Sequence, residues 1–231
     1  MFLFTIDEET VEATPVALRK PPGGTEKPRK RCLSDDELKT LPLDPKSAAR
    51  FDRLGHALTL YLLTATRRSE LALARWANIN FQNKTWLVPA EDSKTEEPLL
   101  IPLSAWAVRE FEALQRLAKH SPWVMPNDER SGPIDPKLLT RGVARCQGRM
   151  KRLGIAKFTL HDMRRTCRTG MAKLKVLPHI AERCLNRAQK GIESTYNVYD
   201  YLDEKREALN IWAAYLETLA PGAAAPKTLP A

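Results

Sequence analysis

The sequence predicts an α+β fold that is mainly α-helical and contains a small antiparallel β-hairpin. Three observations support this class. Apolar residues recur at helical spacing in both halves of the chain, two short β-prone runs enclose a polar turn in the middle, and a long amphipathic segment closes the folded part.

The first helical segments follow "SDDEL", in which Ser34 as N-cap and Glu37 three residues later match a capping box. Beyond it the pattern is that of an amphipathic helix. The apolar residues that recur there are Leu54, Leu58, Tyr61 and Ala65. Two further helices are predicted from "SAWAVREFEALQRLAK" and "PKLLTRGVARCQGRMKRLG".

Residues 85–89 and 98–103 are β-prone and flank "EDSKTE", which predicts the hairpin. The last strong helix is predicted over 202–219, with an apolar stripe on one face. The stripe consists of Leu202, Leu209, Trp212, Leu216 and Leu219. Packing on the chain's own core is the simpler prediction for it.

Three regions follow from composition. Residues 1–33 are rich in Pro, Gly and cations without an apolar period, which predicts a basic flexible linker. Residues 34–219 are expected to form the folded domain, and residues 220–231 a disordered tail.

The charge balance favours a polyanion as partner. Thirty-seven Lys and Arg against 28 Asp and Glu give a net charge of +9. Aromatic residues make up only 7%, which disfavours a stacking platform for single strands. The four cysteines lack metal-site spacing, and neither a signal peptide nor a membrane span is evident. We therefore expect a cytoplasmic, nucleoid-associated protein.

The stretch "FTLHDMRRTCRTG" concentrates cations on a predicted helix. Its apolar seam comprises Leu160, Met163, Cys167, Met171 and Leu174. His161, Arg165 and Arg168 point away from that seam, and Arg164 lies at its border. A border arginine with a packed stem suits bidentate contact with a phosphate, whereas a solvated basic face is the plainer interpretation.

Several motifs together resemble the tyrosine recombinases, and the integrases of prophages and genomic islands in particular. "TRRSEL" is similar to the family's first arginine motif, with Arg67 followed by Glu70. "HDMRRT" is similar to the second motif through His161 and Arg164. Lys94 occupies the hairpin turn, and "STYNVYDY" follows about where the family has its nucleophilic tyrosine. The resemblance covers residues 34–219 and implies a tyrosine-recombinase catalytic domain.

The resemblance implies a role for each of these residues. Tyr196 would attack DNA to form a 3′-phosphotyrosine, Arg67 and Arg164 would hold the phosphate, and Lys94 would protonate the leaving 5′ oxygen. His161 would donate to the phosphate and exchange a proton with the tyrosine, and Glu70 would support a catalytic side chain. No metal is expected, because the chain shows no HExxH motif and no clustered carboxylates. No nucleotide cofactor is expected, because the phosphotyrosine bond stores the energy for rejoining.

Three tyrosines compete for the role of nucleophile. The family separates its last phosphate-binding His or Trp from the tyrosine by nine positions, which favours Tyr196 over Tyr199 and Tyr201. Counting back from Tyr196 leads to Arg187, in "CLNRAQKG". There the family usually has a histidine after "LN" or "LG", so Arg187 departs from the pattern and places full activity in question.

The resemblance also implies partners. The chain would bind double-stranded DNA, assemble as a tetramer on paired DNA sites and act with accessory factors that bend DNA or set direction. C-terminal segments of the family often dock on a neighbouring subunit, which is the alternative to core packing for the stripe over 202–219. Residues expected to bind DNA are Arg165, Arg168, Arg29, Lys30 and Arg31. The family places DNA-binding domains ahead of this one, which leads us to expect a truncated integrase. Two function classes stay open, a DNA breaking-and-rejoining enzyme and a catalytically decayed DNA-binding remnant.

Overall fold

A computed structural model describes residues 30–41, 52–187 and 199–219. The helices in these ranges are α1 (Asp35–Thr40), α2 (Asp52–Thr64), α3 (Arg68–Ala72), α4 (Ala105–Ala118), α5 (Pro136–Arg152), α6 (Leu160–Lys173), α7 (Pro178–Cys184) and α8 (Leu202–Leu219). One small sheet accompanies them, so the predicted fold class is confirmed. No helix within the described ranges has the length and apolar character needed to cross a membrane.

The sheet has three antiparallel strands in the order β1 (Ile79–Asn80), β2 (Thr85–Val88) and β3 (Leu99–Pro102). The predicted hairpin is confirmed as β2 and β3, with Trp86 opposite Ile101. The sequence did not predict β1, since two residues are too short to show an alternating pattern. Trp86 is fully buried and packs edge to face against Phe111 of α4, which attaches the sheet to the helices.

Helix α2 forms the centre of the core. Its residues Leu60, Tyr61, Leu62 and Leu63 are at most 1% exposed, so consecutive positions are buried around the whole helix. A helix buried on all faces needs neighbours on several sides. Helices α4, α6 and α8 supply them. Between α2 and α4, the buried Glu110 carboxylate bonds His56 Nδ1 at 2.6 Å and accepts from Trp106 Nε1 at 2.8 Å.

Helix α8 packs on this core through its apolar stripe, as the simpler prediction expected. Leu209, Trp212 and Leu216 are buried, and Trp212 Nε1 donates to the Leu62 carbonyl at 2.6 Å. Lys205 Nζ donates to the Leu100 carbonyl of β3 at 3.0 Å. Helix α8 therefore connects the central helix to the sheet.

The segment before α1 is part of the folded unit, which begins at Arg31. Leu33 is 4% exposed, and its N–H donates to Thr166 Oγ1 of α6 at 2.9 Å. The predicted capping box of α1 is present, and Glu37 also pairs with Arg31 at 2.5 Å. Arg31–Leu33, which the sequence analysis assigned to the linker, thus pack against residues of the folded domain predicted over 34–219. Residues 1–29 of the predicted linker and the predicted tail lie outside the described residues.

Contact between α6 and α8 depends on a glycine, which yields a stability prediction. A Cβ at Gly170 would lie 2.6 Å from Cη2 of Trp212, inside van der Waals contact with a fully buried ring. We expect Gly170→Ala to lower the free energy of unfolding by about 1 to 3 kcal/mol, because the overlap outweighs the better helix propensity of alanine. Urea unfolding followed by circular dichroism measures this.

Gly148→Ala on the exposed side of α5 is the matched control, since nothing lies within 4 Å of the position that its methyl group would take. It has the same propensity gain without the overlap, so it should be neutral or stabilising by up to about 1 kcal/mol. Equal stability of the two variants would contradict the close-packing interpretation.

Candidate active site

A cleft of about 480 Å³ collects cationic side chains from four separate segments of the chain. Five of the six residues expected to be catalytic line it, namely Arg67, Lys94, His161, Arg164 and Arg187. Tyr196, the sixth, lies outside the described residues. Side chains far apart in sequence therefore meet where a phosphate-sized anion would fit.

Arg67 directly precedes α3 and is held by the fully buried carboxylate of Glu70. Glu70 accepts from the Arg67 backbone N–H at 2.6 Å and from Arg67 Nη1 at 2.9 Å. Arg67 Nη2 donates to the Asn186 carbonyl at 2.8 Å. The guanidinium is thus fixed on two sides, and Glu70 has the contacts expected of a supporting residue.

Arg164 on α6 is only 6% exposed, which is deeper than its border position on the helix predicts. The reason is long-range packing, because Arg164 Nη1 donates to the Ala65 carbonyl and Nη2 to the Leu185 carbonyl. Ala65 has φ of +53°, a left-handed conformation that is costly for a residue with a Cβ. Burial lowers the pKa of Arg164 to about 10, and the nearby positive charge of Arg67 acts in the same direction.

His161 lies one helical turn before Arg164 and is exposed toward the cleft. Desolvation of the ring lowers the pKa of His161 below its ordinary value, and the positive charges of Arg165 and Arg164 lower it further. The neutral imidazole is therefore favoured at pH 7. A neutral ring has one nitrogen that donates and one that accepts.

Arg187 follows α7 and has an exposed side chain that reaches Glu182. Arg187 Nη1 lies 2.9 Å from Glu182 Oε2, and Arg168 Nε lies 2.6 Å from Glu182 Oε1. Desolvation opposes the charge on Glu182, but the hydrogen bonds from both arginines outweigh it, so its pKa lies below the ordinary value. Glu182 is thus an ionised anchor between two arginines at the edge of the cleft.

The residues expected to bind DNA have different surroundings. Arg165 pairs with Asp162 at 2.8 Å, Arg168 pairs with Glu182, and Arg31 pairs with Glu37. The helix in "FTLHDMRRTCRTG" therefore presents paired, half-buried arginines rather than a solvated basic face. Lys30 is exposed, and Arg29 lies outside the described residues.

The sequence interpretation missed a basic stripe on α5. Its exposed cations recur at helical spacing along the side opposite the buried Leu139, Val143 and Met150. They are Lys137, Arg141, Arg145 and Arg152, and the half-buried Arg149 falls on the same side. Thr140 of this helix lines the cleft and accepts from Arg68 Nη1 at 3.1 Å, so α5 adjoins the site. The i, i+4 repeat of cations was a signal that could have revealed it.

The competing tyrosines Tyr199 and Tyr201 precede α8 and pack against each other, with ring centroids 4.7 Å apart. The guanidinium of Arg183 lies 4.0 Å from the centre of the Tyr201 ring. Neither tyrosine belongs to the described lining of the cleft.

Comparison with known proteins identifies the class to which this site belongs. The model of the phage integrase family matches residues 32–205. The chain belongs to that family, and the resemblance to tyrosine recombinases is confirmed.

The similar curated proteins include two from Escherichia coli K12. Prophage integrase IntZ is 29% identical over 168 residues, which are 72% of this chain and 40% of the relative. Prophage integrase IntA is 27% identical over 193 residues, covering 81% of this chain and 45% of the relative. This chain therefore spans less than half the length of these relatives.

Solved structures share the fold at lower identity. The integrase of mycobacterium phage Brujita superposes with a TM-score of 0.61 at 17% identity, over 91% of this chain and 67% of that one. A lambda integrase fragment bound to a COC′ core site gives 0.58 at 21% identity, over 81% and 68%.

The buried Glu70 provides a test of the Arg67 arrangement. We expect Glu70→Gln to lower the free energy of unfolding by about 1 to 3 kcal/mol. The neutral amide removes a charge-assisted acceptor from Arg67, and its NH₂ group then faces N–H groups of Arg67 that also donate. Urea unfolding at neutral pH measures the change. Glu112→Gln, an exposed carboxylate on α4, should leave stability nearly unaltered. A Glu70→Gln protein as stable as the parent would show that the pair does not hold Arg67.

Proposed function

We propose that this chain is the catalytic part of a site-specific DNA recombinase that cleaves and rejoins strands through a 3′-phosphotyrosine. The observation that carries the proposal is the meeting of Arg67, Lys94, His161 and Arg164 in one cleft. Membership of the phage integrase family and similarity to prophage integrases support it. The lambda integrase fragment whose fold this chain shares was solved on DNA.

The proposed reaction needs no group beyond side chains and DNA. The Tyr196 oxygen bonds to phosphorus, the bond from phosphorus to the 5′ oxygen breaks, and Lys94 gives that oxygen a proton. The proton of Tyr196 passes to the neutral His161 ring. In rejoining, a 5′-hydroxyl attacks the phosphotyrosine and each proton returns.

The two arginines suit stabilisation of the charge that develops on the non-bridging oxygens. Both Arg164 terminal nitrogens are held by carbonyls, yet each keeps a second N–H. Because Arg67 and Arg164 are fixed before any phosphate arrives, little reorganisation is needed at the moment of reaction.

Arg187 is the observation that favours the alternative, a decayed DNA-binding remnant. Its guanidinium is occupied by Glu182, whereas the family usually has a histidine there. We favour the active enzyme, because an exposed arginine at the edge of the cleft still donates to a phosphate oxygen once it turns from Glu182.

Formation of a covalent DNA adduct by the parent decides between these functions, and removal of the nucleophile tests the assignment of Tyr196. We expect the parent to form a covalent adduct on a nicked suicide DNA substrate, and Tyr196→Phe to form none, because the ring then lacks the attacking oxygen. Denaturing gel electrophoresis of labelled DNA detects the adduct. Tyr199→Phe is the control and should react like the parent.

An adduct that survives Tyr196→Phe would refute this nucleophile. A parent that binds the duplex without forming any adduct would favour the remnant.

We further propose that the α5 stripe follows the DNA backbone beside the cleft, since it groups exposed cations on the helix whose Thr140 lines the cleft. A lambda integrase tetramer on a Holliday junction shares this fold, with a TM-score of 0.58 at 21% identity. It supports the finer proposal that the protein acts as a tetramer on paired DNA sites. Accessory factors that bend DNA or set direction, and association with the nucleoid, belong to the same proposal without support from that structure.

The salt dependence of duplex DNA binding tests whether the α5 stripe contacts the DNA backbone. We expect the double variant Arg141→Gln, Arg145→Gln to bind duplex DNA more weakly, with the slope of log K against log salt reduced by about 0.9 for each phosphate that the variant no longer neutralises. Fluorescence anisotropy over a salt series measures it. Arg116→Gln in the last turn of α4 with Lys119→Gln, the residue directly after that helix, is the charge-matched control, since neither residue lines the cleft. Equal slopes for the two double variants would rule out a special role for α5.

A further inference from the structure

Lys94 lies in a turn whose position is set by its two neighbours. The Lys94 side chain is exposed in the cleft, while Ser93 before it is buried and Thr95 after it is half-buried. Ser93 Oγ and Thr95 Oγ1 lie 2.9 Å apart. A flexible lysine can serve as a proton donor at a fixed place only if the turn that carries it is held.

Asn186 holds this turn from another part of the chain. Its Nδ2 donates to Ser93 Oγ at 3.1 Å, and Thr95 Oγ1 donates to its Oδ1 at 3.3 Å. With the contact between the two hydroxyls, these bonds close a ring of three side chains. Either hydroxyl can donate or accept, so the ring forms whichever way the amide is turned.

The backbone of the same residue contacts the phosphate clamp, the pair Arg67 and Arg164 that is proposed to hold the phosphate. The Asn186 carbonyl accepts from Arg67 Nη2 at 2.8 Å, and the preceding carbonyl, of Leu185, accepts from Arg164. Asn186 has φ of +47°, a left-handed conformation that asparagine adopts more readily than most residues. One residue therefore contacts Arg67 through its backbone and the Lys94 turn through its side chain.

We infer that Asn186 is a positioning residue that sets Lys94 relative to the arginines, so that the proton donor and the phosphate clamp form one rigid unit. The inference rests on the proposed function, because it concerns the role of Lys94 in strand cleavage. Asn186 itself touches neither the phosphate nor the leaving oxygen in this role.

Replacement of Asn186 by glycine isolates the side chain. Glycine keeps the left-handed backbone and the carbonyl that Arg67 uses, but it cannot close the ring. A 5′-bridging phosphorothiolate substrate then reports on the affected step, because its sulfur leaves without a proton. Loss of Lys94 positioning should slow cleavage of the ordinary phosphodiester and spare that of the phosphorothiolate.

We expect Asn186→Gly to cleave the ordinary nicked duplex about threefold to tenfold more slowly than the parent, the range of one or two neutral hydrogen bonds. It should cleave the phosphorothiolate at the parent rate. Thr95→Val, which also opens the ring, should repeat this pattern, and Thr95→Ser, which keeps the hydroxyl, should not. Asn127→Gly is the matched control, since Asn127 bonds Ser131 and Gly132 in a turn away from the cleft.

Equal slowing on both substrates would overturn the inference, since it would place the effect on phosphate binding or on folding. Unchanged rates on both would overturn it as well.

A second measurement is independent of activity. Hydrogen exchange of the peptide that spans residues 92–98 should be faster in Asn186→Gly than in the parent, while that of α4 should be unaltered. Unchanged exchange in the turn would overturn the inference even if the parent is inactive. Absence of adduct in the parent, by contrast, would refute the proposed function and leave the exchange result to decide whether Asn186 holds the turn.

Discussion

Repulsion between guanidinium groups is the constraint around which the rest of this structure is arranged. Arg67, Arg164 and Arg187 line one cleft. Burial is the main reason that the pKa of Arg164 is lowered, and the positive charges of Arg67 and Arg187 lower it further. Each arginine is therefore held by an acceptor of its own. Glu70 and Glu182 supply carboxylates, and the chain after α7 supplies the carbonyls of residues 185 and 186. Carbonyls at a helix end lack intrahelical partners, which makes them suitable acceptors.

The core then fixes the spacing of these acceptors. Helix α2 is buried on all sides and ends at the turn whose carbonyl, at Ala65, binds Arg164. Helix α8 presses Trp212 against Gly170 of α6 and bonds α2 through the same indole ring. Movement of α6 would therefore disturb both the core and the arginine it carries. A site that depends on the mutual position of several cations gains precision from such rigid support.

Local patterns accounted for most of the fold. The capping box at Ser34, the β2–β3 hairpin and the helix over 202–219 follow from short-range periodicity and turn chemistry, and the structure confirms them. The family motifs also brought together the residues that line the cleft. Strand β1 was missed, because it is defined by its pairing with β2 rather than by its own pattern.

Long-range partners could not be predicted from one sequence. The Arg168–Glu182 pair, which joins α6 to α7, changes the interpretation of a cation-rich helix, since charges paired within the chain are less available to DNA than exposed ones. The ring that joins Asn186 to Ser93 and Thr95 links segments about 90 residues apart, and nothing in either segment indicates the other. The α5 stripe is the exception, because the helical spacing of its cations is visible in the sequence itself.

The energetics of the site also bear on whether the chain is an enzyme or a remnant. Burying Arg164 near two other arginines costs stability, as its lowered pKa indicates, and the left-handed turn at Ala65 adds strain. A chain used only to bind DNA would lose little by replacing a buried cation with an apolar residue, since exposed cations suffice for contact with phosphates. The preorganised cleft is therefore more readily understood as a device for stabilising developing charge than as a DNA-binding surface. On this reasoning, we propose that Arg187 is compatible with an active cleft, with Glu182 supplying the anchor that the longer side chain requires.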